Sequence, residues 1–227
     1  ITNNEYNKLS KNELNIISGS FDNQSISYSN IINRESSSIS SFFNHNKTDG
    51  YRDENEQKQN NFTAEIKLPY NSGSQLFKVS FSEQLMSTPS DRSQSQLYSD
   101  RRGSDTPDDF VNSVGGSLLY GLDYKIKESA KFLLNASMRL KNSSSDLQST
   151  AYPSQSDTNL ENYQITPRIN IINDFLNKEL KSTYGLDLQF ADYGSDRKKN
   201  KDVAPLHVYD ASQHTQSLYA QHEIKLN

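Results

Sequence analysis

The sequence predicts an all-β fold, an antiparallel transmembrane β-barrel, and three observations predict it. The first is the stretch Gly116 to Lys141. There Leu118, Tyr120, Leu122, Tyr124 and Ile126 alternate with Gly121, Asp123 and Lys125. After a short turn at 127–130, Phe132, Leu134, Ala136, Met138 and Leu140 alternate with Asn135, Ser137, Arg139 and Lys141. Side chains of a strand point alternately to two faces, so this is a hairpin with one apolar and one polar side. The second is composition. Of 227 residues only 32% are hydrophobic and 23% are charged, which is poor material for a globular core, yet 13 Tyr and 10 Phe are too many for a disordered chain. A barrel wall accommodates both facts, because only every second strand residue meets lipid. The third is that joins between strands alternate short and long, as periplasmic turns and outer loops do.

Taken in order, the first strands are predicted over Glu13 to Ser20, Ser25 to Asn33 and about Ser37 to Asn46. Leu14 and Ile16, Ile26 and Tyr28, and Ile39 and Phe43 carry them. Their joins at 21–24 and 34–35 are both short, the one departure from the alternating order. A polar join follows at 47–59, where Asp49-Gly50 signals a turn. From Asn61, Phe62, Ala64, Ile66 and Leu68 oppose Thr63, Glu65 and Lys67, and Pro69 with Asn71-Ser72-Gly73-Ser74 closes the strand. Next, Phe77, Val79, Phe81 and Leu85 oppose Lys78, Ser80, Ser82 and Gln84, with Glu83 breaking the apolar row. The longest loop, 86–112, leads into the central hairpin.

Beyond a loop at 143–161, Tyr163, Ile165, Pro167, Ile169 and Ile171 form a face. A short turn at 173–178 precedes Leu180, Tyr184, Leu186, Leu188 and Phe190. A loop at 194–213 precedes Leu218, Ala220, Ile224 and Leu226, with His222 as a polar intruder. This makes about ten strands. Strands of about ten residues fit a tilted membrane crossing. A soluble β-sandwich adhesin, which periodicity alone admits, uses strands nearer five or six. No apolar run approaches the ~18 residues of a membrane helix. The first residues carry no signal peptide, so the chain is expected to begin after processing or to be a piece of something longer.

The chemistry that composition excludes is broad. Cysteine is absent, and with it disulfides and thiolate chemistry. A formal charge of −4 disfavours a nucleic-acid binder, and the basic run Arg197 to Lys201 lies between Asp196 and Asp202 as a solvated loop would. His45, His207, His214 and His222 lack metal-ligand spacing, and Asp105, Asp108 and Asp109 lack the calcium-loop pattern. No catalytic constellation, cofactor motif or metal site is expected. The candidate ligand-binding residues are loop aromatics and cations: Tyr51, Arg52, Arg92, Tyr98, Arg101, Arg102, Tyr152, His207 and Tyr209. Arginine presents a planar fork of donors suited to carboxylate or phosphate, and tyrosine adds apolar area with a polar tip. The competing expectation is that Arg101 and Arg102 pair with Asp100, Asp105 and Asp108 to order their loop.

Three loop motifs then share an order. Gly19-Ser20-Phe21-Asp22, Thr48-Asp49-Gly50-Tyr51-Arg52-Asp53-Glu54-Asn55, and Asp100-Arg101-Arg102 followed by Thr106-Pro107-Asp108-Asp109-Phe110 together resemble the early barrel of TonB-dependent outer-membrane receptors. The resemblance runs from about Asn12 to the end. It implies a 22-stranded barrel in the bacterial outer membrane, filled by an N-terminal plug. Such a receptor imports a ferric siderophore, cobalamin or a similar scarce solute with energy relayed by TonB. Residues 1–12 would then end the plug or its linker, and 13–227 would be a partial barrel with long loops near 47–59, 86–112, 143–161 and 194–213. Lys67, Asp123, Lys125, Arg139, Arg168 and Asp187 would face the plug and water. The sequence departs from the family in showing neither plug nor TonB box and in ending at Leu226-Asn227 rather than on an aromatic. A small closed barrel, porin-like or an outer-membrane enzyme, is the alternative. It requires the first and last strands to pair with each other.

Overall fold

The computed structural model describes residues 10–34, 36–147, 153–176, 178–199 and 203–224. Ten strands form one antiparallel sheet in which each strand pairs with its sequence neighbours. They are β1 (Lys11–Gly19), β2 (Asn23–Arg34), β3 (Ser37–Thr48), β4 (Gln57–Tyr70), β5 (Gly73–Ser87), β6 (Phe110–Lys127), β7 (Ala130–Leu147), β8 (Ser154–Phe175), β9 (Lys178–Lys198) and β10 (His207–Ile224), with a short helix α1 (Gln94–Ser99) between β5 and β6. In such a meander the joins fall alternately on two rims. One rim carries the joins after β2, β4, β6 and β8, and the other carries 20–22, 49–56, 88–109, 148–153 and 199–206. The join after β2 therefore belongs to the short-turn rim. Only 20–22 is short for its place.

Register carries the apolar face across the whole sheet. One ladder reads Ile32, Ile39, Ile66, Phe77, Tyr120, Ala136, Ile165, Leu188, each paired with the next. Another sets Tyr28, Phe43, Phe62 and Phe81 side by side. Aromatic rings meet along this face, Phe77 with Tyr120 at 5.0 Å and Tyr163 with Phe190 at 6.1 Å between centroids. By the same alternation Lys67, Asp123, Lys125, Arg139, Arg168 and Asp187 share the opposite, polar face.

This sheet has no second layer among the described residues. Ala130 is their one buried hydrophobic residue, while Leu118 is 51% exposed, Ile165 47% and Phe77 43%. A soluble sandwich would cover such a face with another sheet. Here hydrocarbon is the cover the face fits. The row from Leu118 to Ile126 rises about 27 Å along the strand. At a tilt of about 40° that is about 21 Å of height, close to the apolar band of an outer-membrane barrel. Among the described residues β1 pairs only with β2 and β10 only with β9, so both are open edges. The pairing of first and last strands that a small closed barrel of ten strands requires is not present among the described residues.

The structure differs from the sequence expectation in where strands stop. Strands β7 and β8 take in 143–147 and 154–161 of the loop expected at 143–161, and β9 and β10 take in 194–198 and 207–213 of that expected at 194–213. Those expected at 47–59 and 86–112 become 49–56 and 88–109. Strand β8 runs for 22 residues and β9 for 21, about twice the expected length. The reason is that ladder hydrogen bonds need no apolar side chain. Ser143 pairs with Thr158 and Asp146 with Gln155, where neither face is greasy and no alternation marks the strand. At the other end β1 begins at Lys11, so Lys11 and Asn12 belong to the sheet rather than to a segment ahead of it.

Candidate functional site

At the long-loop rim the first three joins are bonded into one corner. The Asp49 N–H and the Thr48 hydroxyl both donate to the Phe21 carbonyl, at 2.9 and 3.2 Å. Phe21 meets Tyr51 edge to face with centroids 5.7 Å apart, and the Arg102 guanidinium lies 5.7 Å over the same tyrosine ring. The Asp53 N–H donates to the Arg102 carbonyl at 2.8 Å. Phe21, Tyr51 and Arg102 thus form a row that crosses from join to join. Edge-on aromatic and cation–π contacts of this kind add about 0.5–1.5 kcal/mol each. At the base of the corner Lys47 hydrogen-bonds Asp22 at 3.0 Å and, with Gln24, holds its carboxyl below the ordinary carboxylate range.

The 88–109 loop is ordered from inside by two arginines. Arg92 has a side chain only 5% exposed, and it pairs with Asp100 at 2.6 Å and Asp105 at 2.8 Å. Gln96 donates to the other oxygen of Asp105 at 2.8 Å, and the Gly103 N–H donates to Asp100 at 3.1 Å. Arg52 reaches in from the neighbouring join, donating to the carbonyls of Ser90 at 2.6 Å and Gly103 at 3.0 Å. Helix α1 starts with a capping box in which Ser93 and Gln96 satisfy each other's backbone N–H groups.

Gly103 is buried, and a Cβ there would lie 1.9 Å from the Arg92 guanidinium and 2.0 Å from the Asp100 carboxylate. A side chain at this position would have to displace one end of that ion pair. Gly103→Ala is expected to break it and cost the loop about 1–3 kcal/mol, the penalty of a buried donor without its partner. Trypsin should then cut at Arg92, Arg101 or Arg102 roughly tenfold faster, with the strands intact. An unchanged cutting rate would show that the loop does not depend on this pair.

Pairing therefore differs from the sequence expectation: Arg92, rather than Arg101 or Arg102, holds Asp100 and Asp105. Arg101 and Arg102 are exposed and look outward. Of the nine candidate residues, Tyr51, Arg52, Arg92, Arg101 and Arg102 gather at this corner, and Tyr98 stands on α1 with 83% exposure. His207 and Tyr209 lie on β10 rather than in a loop, their rings stacked 5.9 Å apart. Tyr152 lies outside the described residues. Phe21 was not foreseen as a contact of Tyr51, although the Gly-Ser-Phe motif pointed at it. Nor was Gly103, whose role depends on how the loop folds back.

No protein-family model matches the sequence and no curated protein matches it. Solved structures do match. The ferric citrate transporter FecA in its unliganded form aligns at 12% identity and a TM-score of 0.73, over 96% of this chain and 35% of that one. The pyoverdine outer membrane receptor FpvA from Pseudomonas aeruginosa PAO1, bound to pyoverdine, aligns at 10% identity and a TM-score of 0.78, over 96% of this chain and 39% of that one. The siderophore receptor PiuA from Acinetobacter baumannii aligns at 9% identity and 0.69, over 97% of this chain and 41% of that one. The chain spans about two fifths or less of each. At such identities the likeness shows the fold, which is that of the barrel wall of outer-membrane receptors. The resemblance to TonB-dependent receptors read from the loop motifs thus holds, as fold, over nearly the whole chain. These neighbours are transporters and receptors rather than enzymes.

Proposed function

We propose that the chain is part of the barrel of a TonB-dependent receptor in the bacterial outer membrane, and that the whole protein binds and imports a scarce solute such as a ferric siderophore. One observation carries the reading: a ten-stranded sheet with the fold of a receptor barrel wall, continuous in its apolar band and, among the described residues, unpaired at both edges. Further strands close such a sheet, and a plug ahead of it contacts TonB. In this reading the long-loop rim faces the outside. Tyr51, Tyr98, Arg101 and Arg102, with His207 and Tyr209 across the rim, offer aromatic faces and donors to an anionic chelate. Arg52 and Arg92 hold the loop that presents them. Residues 1–12, ahead of or entering β1, join barrel to plug.

The test is growth. A strain lacking the full gene is expected to fail on one iron or cobalamin source, and the whole protein should restore it. The double substitution Tyr51→Ala, Arg102→Ala is expected to raise the concentration needed about tenfold, as loss of one charged hydrogen bond and one ring contact would. If no source separates the deletion strain from its parent, solute uptake of this kind is the wrong assignment.

A further inference from the structure

The polar face carries a trough of about 440 Å³ on β4 to β7, lined among others by Thr63, Ser80, Ser82, Ser117, Arg139 and Lys141. Two rungs of the ladder build it. Arg139 pairs with Ser117, Ser117 with Ser80, and Ser80 with Thr63, while Lys141 pairs with Gly115 and Gly115 with Ser82. Hydroxyls from three strands therefore flank two cations on a fourth. Gly115 keeps the place beside Lys141 clear, since a Cβ there would press within 3.0 Å of the Leu140 carbonyl.

Three other cations of the polar face stand beside carboxylates. Lys125 is paired with Glu128 at 2.5 Å, Lys181 lies 3.9 Å from Glu223, and Lys78 stands opposite Glu65 in register. Arg139 and Lys141 are exposed, and no ion pair engages either among the described residues. Glu83 borders the trough but belongs to the opposite face, where it accepts a hydrogen bond from Asn60 at 2.9 Å. Two residues apart on one strand face, the cations stand about 7 Å from each other. A planar guanidinium fork and an ammonium at that spacing suit one bridging oxyanion, with serine and threonine hydroxyls as further donors.

We infer that Arg139 and Lys141 form an oxyanion site that takes a carboxylate or a phosphate group. The inference deepens the receptor-barrel reading and rests on it, because only a closed barrel makes this face a lumen. Leu140, between the two cations, ends the apolar row, so the site stands level with the upper edge of the apolar band. Two carriers can bring the oxyanion, an entering solute or a segment of the same protein that fills the lumen.

Calorimetry on the full-length protein in detergent, with citrate and inorganic pyrophosphate as probes, tests the site. The double variant Arg139→Gln, Lys141→Gln is compared with wild type and with Lys78→Gln. If the site is open to solutes, wild type binds a probe, the double variant binds at least about tenfold more weakly, and Lys78→Gln is unchanged. If the protein supplies its own oxyanion, wild type binds neither probe, and the double variant melts below both wild type and Lys78→Gln. Equal binding by wild type and double variant, or no binding together with unchanged melting, overturns the site. Heat-modifiable migration of wild type is read separately. Its absence would sink the barrel reading, while the probe titration would still decide the oxyanion site.

Discussion

Leu134→Arg is expected to cost about 2–4 kcal/mol of stability in a lipid bilayer, and Asn135→Arg, one residue further on, no more than about 1 kcal/mol. Leu134 pairs with Leu122 and Pro167 on the apolar face, near the middle of the band that runs from Leu118 to Ile126. An arginine there must leave water or drag water in with it. Asn135 pairs with Gly121 and Thr166 on the polar face, where the guanidinium stays hydrated. The two sites have the same strand, depth and substitution, so their difference isolates the face. Denaturant titration of the whole protein in lipid vesicles measures it. Equal penalties would falsify the assignment of faces, because a one-residue slip in register exchanges them completely.

That contrast rests on the part of the fold most legible in the sequence. Phe62, Ala64, Ile66 and Leu68 against Thr63, Glu65 and Lys67 identify a strand and its faces without any structure, since lipid on one side and water on the other impose the alternation. Strand ends were not legible, for the same reason. β6 is 18 residues long. It climbs about 45 Å at a tilt of about 40°, while the apolar band fills only about half of that. Above the band, Ser143 to Asp146 and Asp192 to Lys198 have water on both faces, and nothing forces them to alternate. Within the site, the motif Asp49-Gly50-Tyr51-Arg52-Asp53 was legible as a rim loop, because turn residues announce it. The separate duties of Tyr51, which looks outward to Arg102, and Arg52, which turns inward to Ser90 and Gly103, were not. Nor was the exchange of Arg92 for Arg101 and Arg102 as partner of the aspartates. Sequence proximity favoured the adjacent arginines, but the loop doubles back through α1 and brings Arg92 onto Asp100 from eight residues away.

The short-turn rim is held as tightly as the long-loop corner, and Gly73 is where a single methyl group is expected to break it. Gly73 has φ 152°, a conformation that side chains oppose, and it closes the two-residue turn between β4 and β5 by pairing with Tyr70. A Cβ at this position would lie 1.9 Å from the Asp123 carbonyl oxygen and 2.7 Å from its carbon. The obstacle is backbone, so no rotamer change relieves it. The same carbonyl accepts the Tyr70 hydroxyl at 3.0 Å, and the Lys125 N–H donates to Ser72 at 2.6 Å, so the turn is tied to β6 on both sides. Either β5 separates from β6 or the turn changes type, and each route opens ladder bonds. Gly73→Ala is therefore expected to cost about 3 kcal/mol or more, the sum of backbone strain and lost pairing. Gly73→Val should be little worse, because the collision is complete at Cβ. Ser74→Val, one residue on, should be tolerated. Yield of the heat-modifiable form in outer-membrane fractions separates these cases. If Gly73→Ala assembles like the parent and only Gly73→Val fails, side-chain volume rather than the approach of Asp123 governs the turn.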